Sequence, residues 1–107
     1  MEITKEQTAR IQQMEQHLDR ASAAVMELSA ALDKYREAQE SLSALNVYYG
    51  SEDWQKDFAA DEAGLLPRDL KRGVLSEDAV YDLITDNHEL AVRMMKTVTK
   101  ALESQSL

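Results

Sequence analysis

The sequence contains no cysteine, one proline and three glycines among its 107 residues. The absence of cysteine excludes disulfides, thiol nucleophiles and thiolate metal sites. Proline and glycine are the residues that most often break a helix, and neither occurs before Gly50. These absences favour a fold made of long, uninterrupted helices.

Basic residues are fewer than acidic ones: the sequence has 12 Lys and Arg against 20 Asp and Glu, and its formal net charge is −8. Because nucleic-acid-binding proteins normally present a basic surface, we expect no nucleic-acid partner. The one locally basic stretch, residues 68–72, contains Asp69 and follows Asp61. Ion pairs within the molecule are the preferred interpretation of this stretch, and phosphate binding is the alternative.

Long apolar runs are absent as well. No stretch approaches the length needed to span a bilayer, so we expect no membrane association. The first residues, Met1–Glu6, lack the apolar core of a signal peptide. We therefore expect the protein in the cytoplasm.

The first half of the chain carries one helical pattern, from about residue 4 to residue 49. Thr4 is the predicted N-cap, and Gln7 completes a capping box. The apolar residues fall into two interleaved seven-residue series, which are the a and d positions of a heptad. We call these residues the heptad stripe: Ile11, Met14, Leu18, Ala21, Val25, Leu28, Leu32 and Tyr35. At about 1.5 Å per residue, the predicted helix is roughly 65–70 Å long.

Residues 50–76 are predicted to be short helices and loops that cap one end of the long helix. Gly50 is expected to end the long helix in a left-handed conformation, and Ser51 to cap the next helix. Pro67 is expected to start a further helical turn, which Gly73 closes.

The aromatic residues near Gly50 are predicted to form a small structural cluster. Trp54 and Phe58 are four residues apart, so they share one side of a short helix. We expect both to pack against Tyr48 and Tyr49. Stacking of Trp54 on a ligand is the alternative interpretation.

The C-terminal helix is predicted over residues 77–103, with a kink near Thr85. Ser76 is its expected N-cap, and Leu75 and Val80 are expected to form a hydrophobic staple. We expect this helix to pack antiparallel on the long helix. The predicted fold is therefore a single all-α domain with the form of an elongated helical hairpin or bundle.

Two series of aspartates recur at four-residue spacing, which places each series on one side of a helix. The series are Asp53, Asp57 and Asp61, and Asp78, Asp82 and Asp86. If they faced each other, Asp53, Asp57, Asp78 and Asp82 could bind Mg²⁺ or Mn²⁺ through carboxylate oxygens, as in a metal-dependent hydrolase. A solvated acidic surface is the preferred interpretation, and we predict no metal or other cofactor.

No catalytic constellation is recognisable in the sequence. His17 and His88 are isolated from other candidate catalytic groups, and neither an EF-hand loop nor a zinc-protease motif is present. We interpret the chain as a non-catalytic module for protein–protein interaction or self-association rather than an enzyme. The alternatives are the metal-dependent hydrolase and an acidic partner of a basic protein.

One stretch of the sequence resembles a known family. The residues that carry the resemblance are Tyr48-Tyr49-Gly50-Ser51-Glu52-Asp53-Trp54, Leu66-Pro67-Arg68-Asp69-Leu70 and Arg72-Gly73-Val74-Leu75-Ser76-Glu77-Asp78-Ala79-Val80-Tyr81. They are similar to a family of small bacterial helical proteins classed as a domain of unknown function. The resemblance covers about Met14 to Met95. It implies an all-helical fold and no assigned activity or catalytic residue.

The heptad stripe has two interpretations, a self-association surface or the core face of a helical hairpin. The C-terminal helix is too short to cover the whole long helix. We therefore expect an exposed apolar surface at Ile11, Met14 and Leu18, and a homodimer formed through it.

Overall fold

A computed structural model describes residues 2–105, and this part of the chain is helical without any strand. Its elements, in order, are α1 (Lys5–Tyr49), α2 (Glu52–Glu62), a short 3₁₀ helix (Gly73–Leu75) and α3 (Ala79–Ser104). The all-α prediction is confirmed. The predicted bounds of the long helix and the C-terminal helix each agree with the structure to within two residues.

The chain divides into two compact units, Met1–Gln39 and Glu40–Leu107. The first unit is the N-terminal part of α1 alone. The second unit contains the last turns of α1 together with α2, the 3₁₀ helix and α3. Within this second unit the end of the long helix and the C-terminal helix pack together, as predicted.

The start of α1 follows the predicted capping. The Thr4 side-chain oxygen accepts a hydrogen bond from the Gln7 backbone N–H at 3.0 Å. This bond satisfies one of the backbone donors that the first turn of a helix leaves without a partner. No proline or glycine interrupts the 45 residues that follow, and α1 continues to Tyr49.

Gly50 does not adopt the expected left-handed conformation, so this detail of the prediction is wrong. Instead the Ser51 N–H bonds to the Tyr48 carbonyl at 3.0 Å, and this tight turn ends α1. Gly64 is the one described residue with positive φ, at 70°. There the N–H groups of Gly64 and Leu65 bond back to Asp61 and Ala60, closing α2 in a Schellman motif.

The turn at Pro67 is shorter than predicted. The Leu70 N–H bonds to the Pro67 carbonyl at 3.3 Å, but no helix continues from it. Gly73 begins the 3₁₀ helix and does not close a helix that starts at Pro67. The predicted helical turn is therefore an isolated turn followed by a separate 3₁₀ helix.

The start of the C-terminal helix also differs from the prediction. Asp78 is the N-cap residue of α3 and makes no side-chain capping bond. Ser76 instead follows the 3₁₀ helix, and its N–H bonds to the Gly73 carbonyl at 3.2 Å. The physical reason is the 3₁₀ turn itself, which buries Leu75 and delays the start of α3. No break or restart occurs near Thr85, because α3 is one continuous helix.

The buried core of the described residues is small and lies in the second unit. Leu75 is 5% exposed and Val80 is 3% exposed. The 3₁₀ helix places Leu75, and the first turn of α3 places Val80. These two side chains join the middle segment to the C-terminal helix.

Replacing Leu75 by alanine is expected to lower the free energy of unfolding by about 2–4 kcal/mol, because the change leaves a cavity in this core. Urea unfolding followed by circular dichroism measures the effect. Leu65 is 77% exposed and provides the matched control. Leu65→Ala is expected to change the free energy of unfolding by less than about 0.5 kcal/mol. Equal losses in the two variants would contradict this description of the core.

Candidate functional site

Trp54 lies at the centre of an aromatic cluster between α1 and α2. Its ring packs edge-on against Tyr49, with centroids 5.1 Å apart and planes at 66°. It also stacks on Phe58, with centroids 5.1 Å apart and planes at 17°. The Trp54 indole N–H donates to the Val74 carbonyl at 3.0 Å. Trp54 therefore links the end of α1, helix α2 and the 3₁₀ helix.

Ser51 sets the position of Trp54. The Ser51 hydroxyl donates to the Tyr48 carbonyl at 2.6 Å and accepts the Trp54 backbone N–H at 3.2 Å. Serine caps α2 in this way because its short side chain reaches backbone groups on both sides of the turn. Gly50 is followed at once by this cap, so two residues separate α1 from α2.

The two tyrosines at the end of α1 point to different partners. The Tyr49 hydroxyl donates to the Glu77 carbonyl at 2.8 Å, which ties α1 to the segment before α3. The Tyr48 hydroxyl donates to the Asp57 carboxylate at 2.5 Å. This hydrogen bond, together with the negative charges of Asp57 and Asp53, raises the pKa of Tyr48 to about 12.

The structure brings together most of the predicted aromatic cluster. Tyr49, Trp54 and Phe58 are in ring contact, while Tyr48 is tied to α2 through Asp57. A purely structural role for Trp54 stays a prediction. The indole N–H is already bonded to a backbone carbonyl and both neighbouring rings are protein side chains, which favours that role over ligand stacking.

Two of the candidate carboxylates have partners within the second unit. Asp57 accepts the Tyr48 hydroxyl, and Asp61 forms an ion pair with Arg72 at 2.8 Å. The second contact is the kind of internal ion pair expected for the basic stretch. Between residues 2 and 105, no group of three or more His, Cys, Asp or Glu side chains is arranged to hold a metal ion.

The predicted interface residues lie in the first unit and are exposed. Ile11 and Met14 are each 53% exposed, and Leu18 is 59% exposed. The exposed surface extends further along the heptad stripe than predicted, because Val25, Leu28 and Leu32 are between 48% and 69% exposed. An isolated helix cannot cover its own apolar side, so this surface is available to another chain.

Helix α3 carries a second apolar surface. A shallow groove of about 400 Å³ is lined by Ala91, Met94, Met95, Val98 and Thr99. Met95 and Val98 are 73% and 55% exposed. The three- and four-residue spacing of these side chains was the available signal, but it is equally typical of a helix face that packs in a core.

No described helix combines the length and the apolar character that crossing a membrane requires.

A protein family described as "Domain of unknown function (DUF4298)" matches residues 11–97, most of the chain. The match includes the resemblance expected over about Met14 to Met95 and extends a few residues beyond it at both ends. Neither the curated proteins nor the solved structures include a significant match. The family description assigns no activity.

Removing the Trp54 ring is expected to destabilise the second unit by about 3 kcal/mol, since Trp54→Ala deletes a half-buried aromatic side chain and its contacts. Trp54→Phe keeps a ring but loses the bond to Val74, so its expected cost is about 1 kcal/mol. Urea unfolding followed by circular dichroism measures the free energy of unfolding of each variant. Wild-type stability in Trp54→Ala would contradict the structural role of the ring.

The Tyr48–Asp57 hydrogen bond is expected to stabilise the fold only while the hydroxyl keeps its proton. The pKa of Tyr48 is raised from 10.0 to about 12 in the folded state. The contribution of this hydrogen bond to the stability of the folded state is therefore complete below about pH 10 and is lost as the pH rises towards 12. Ultraviolet titration should show one tyrosine ionising after the others. Tyr48→Phe should abolish that last step, and Tyr81→Phe, at a position 61% exposed, should leave it in place.

Proposed function

This chain belongs to the DUF4298 family, and we propose that it is a non-catalytic module that associates with a second copy of itself through the first half of α1. The observation that carries the proposal is the exposed heptad stripe in the first unit. The first unit consists of one helix, and six large apolar residues of its stripe are 48–69% exposed.

The pattern of the exposed residues suits a second helix better than a small ligand. A seven-residue repeat of a and d positions allows the side chains of one helix to insert between those of another. The large members of the stripe that are exposed are Ile11, Met14, Leu18, Val25, Leu28 and Leu32. A surface of this length offers shallow gaps between successive side chains along the helix, whereas small-molecule sites are concave pockets.

The amount of apolar surface supports a second copy as the partner. Six large side chains, each 48–69% exposed, contribute to the stripe. At on the order of 100 Å² of exposed apolar surface per side chain, two such stripes bury roughly 1,200 Å² in total. A specific interface needs about 1,000 Å² or more, so two stripes meeting each other reach that size. A two-fold dimer is the commonest way for one surface to meet itself.

We propose no enzymatic role. The Asp57 and Asp61 carboxylates are engaged by Tyr48 and Arg72. A hydrolase that used Asp53, Asp57, Asp78 and Asp82 would need to release Asp57 from Tyr48 before it could bind a metal. The cytoplasmic location also stays a proposal.

Placing charge on the stripe is expected to convert the dimer into a folded monomer. The triple variant Ile11→Glu, Met14→Glu, Leu18→Glu would place charged carboxylates in the interface, where the cost of burying charge and the lost apolar burial both oppose association. Sedimentation equilibrium measures the mass, and circular dichroism checks that the helices remain.

The matched control carries the same three charges on the other side of the same helix: Gln12→Glu, Gln16→Glu and Ala23→Glu. These positions fall at b and f of the heptad, outside the a and d seam. This variant should associate as the wild-type chain does. Equal weakening in both variants would mean that net charge, and not the stripe, controls association.

A further inference from the structure

We propose that Met14 is an oxidation site that controls the self-association of this chain. This inference rests on the proposed dimer and states how its surface is regulated. Met14 lies at a d position of the heptad stripe, one helical turn from Ile11 and one from Leu18. It is the one sulfur-containing side chain of the stripe, and it is 53% exposed in the single chain.

The oxidant is a peroxide, of which hydrogen peroxide is the simplest. The thioether sulfur attacks one peroxide oxygen, so that an S–O bond forms and the O–O bond breaks. Sulfur loses two electrons to the peroxide, and the proton of the transferred hydroxyl passes to the departing hydroxide, which leaves as water. Because the chain has no cysteine, no thiol of its own competes with its methionines for the peroxide.

Oxidation changes the stripe at the place where a second copy would bind. The thioether is a flexible apolar group that fills gaps between helices, whereas the sulfoxide is polar. Between Ile11 and Leu18, and against a second apolar stripe, the sulfoxide oxygen would leave water without a hydrogen-bond donor to replace it. The side chain occurs once in each copy, so a dimer contains this unfavourable burial twice. Oxidation therefore opposes association.

Association should in turn protect Met14 from the peroxide. Its sulfur is accessible in the single chain and covered where two stripes meet. Since only the dissociated chain reacts, the oxidation rate should fall in proportion to the dissociated fraction. The modification is also reversible, because enzymatic reduction of the sulfoxide restores the apolar side chain. Met14 can therefore work as a switch.

Met26 provides a comparison within the same helix. It is 73% exposed and occupies a b position, outside the a and d seam. A dimer formed through the stripe leaves its sulfur accessible. Trypsin cleavage at Arg10, Arg20 and Lys34 places the two methionines on separate peptides. The oxidation of Met14 and of Met26 can therefore be measured in one sample.

The first measurement follows both methionines in the wild-type chain treated with hydrogen peroxide. Protein concentrations run from low to high micromolar, and mass spectrometry of the tryptic peptides gives each sulfoxide yield over time. The oxidation rate of Met14 relative to Met26 should fall about tenfold once about nine chains in ten are dimeric. A constant ratio in samples that sediment as dimers would overturn the proposal. Sedimentation as a monomer throughout would overturn the self-association on which it rests.

The second measurement compares association before and after oxidation in two variants. One retains Met14 and replaces the other described methionines, as Met26→Leu, Met94→Leu and Met95→Leu. The other is Met14→Leu, which removes the thioether from the stripe and keeps an apolar side chain of similar volume. Sedimentation equilibrium compares each protein with its own untreated sample, and circular dichroism checks that the helices remain.

Peroxide should raise the Kd of the variant that retains Met14 by at least about tenfold, and that of Met14→Leu by less than about twofold. An unchanged Kd in the first variant, with its Met14 peptide fully oxidised, would overturn the control of association by Met14. Equal weakening in the two variants would also overturn it, while the dimer itself would stand.

Discussion

An isolated α-helix has no means of covering its own apolar side, and this constraint governs both units of the chain. In the second unit the end of α1 meets α2, the 3₁₀ helix and α3, and Leu42, Leu45 and Tyr49 are half-buried. In the first unit the same helix has no other element of that unit beside it, and six large side chains of the heptad stripe, from Ile11 to Leu32, are between 48% and 69% exposed. One helix therefore carries a covered part and an uncovered part.

Trp54 is the residue on which the covered part most depends. Its ring contacts Tyr49 and Phe58, and its N–H reaches the carbonyl of Val74, so one side chain connects three elements. With Leu75 and Val80 as the buried hydrophobic side chains among residues 2–105, the second unit has a small core. Specific hydrogen bonds and ring contacts therefore contribute more to fixing the structure of this unit than they would in a larger domain.

The sequence predicted the features that depend on local chemistry. The helical pattern of α1 and the Thr4 and Ser51 caps could be read from residue type and spacing. Features set by contacts between distant segments could not. Ser76 has the sequence of an N-cap, yet the burial of Leu75 draws the chain into a 3₁₀ helix. Likewise, no periodicity links Tyr48 with Asp57, or Trp54 with Val74, across a turn or loop.

The central claim is that the uncovered part of α1 is completed by a second copy of the chain. Sedimentation equilibrium of the wild-type protein, over concentrations from low to high micromolar, tests it most directly. If the chain self-associates, the measured mass rises from the monomer mass of 12.1 kDa towards twice that value. A constant mass of 12.1 kDa up to high micromolar concentration would contradict it.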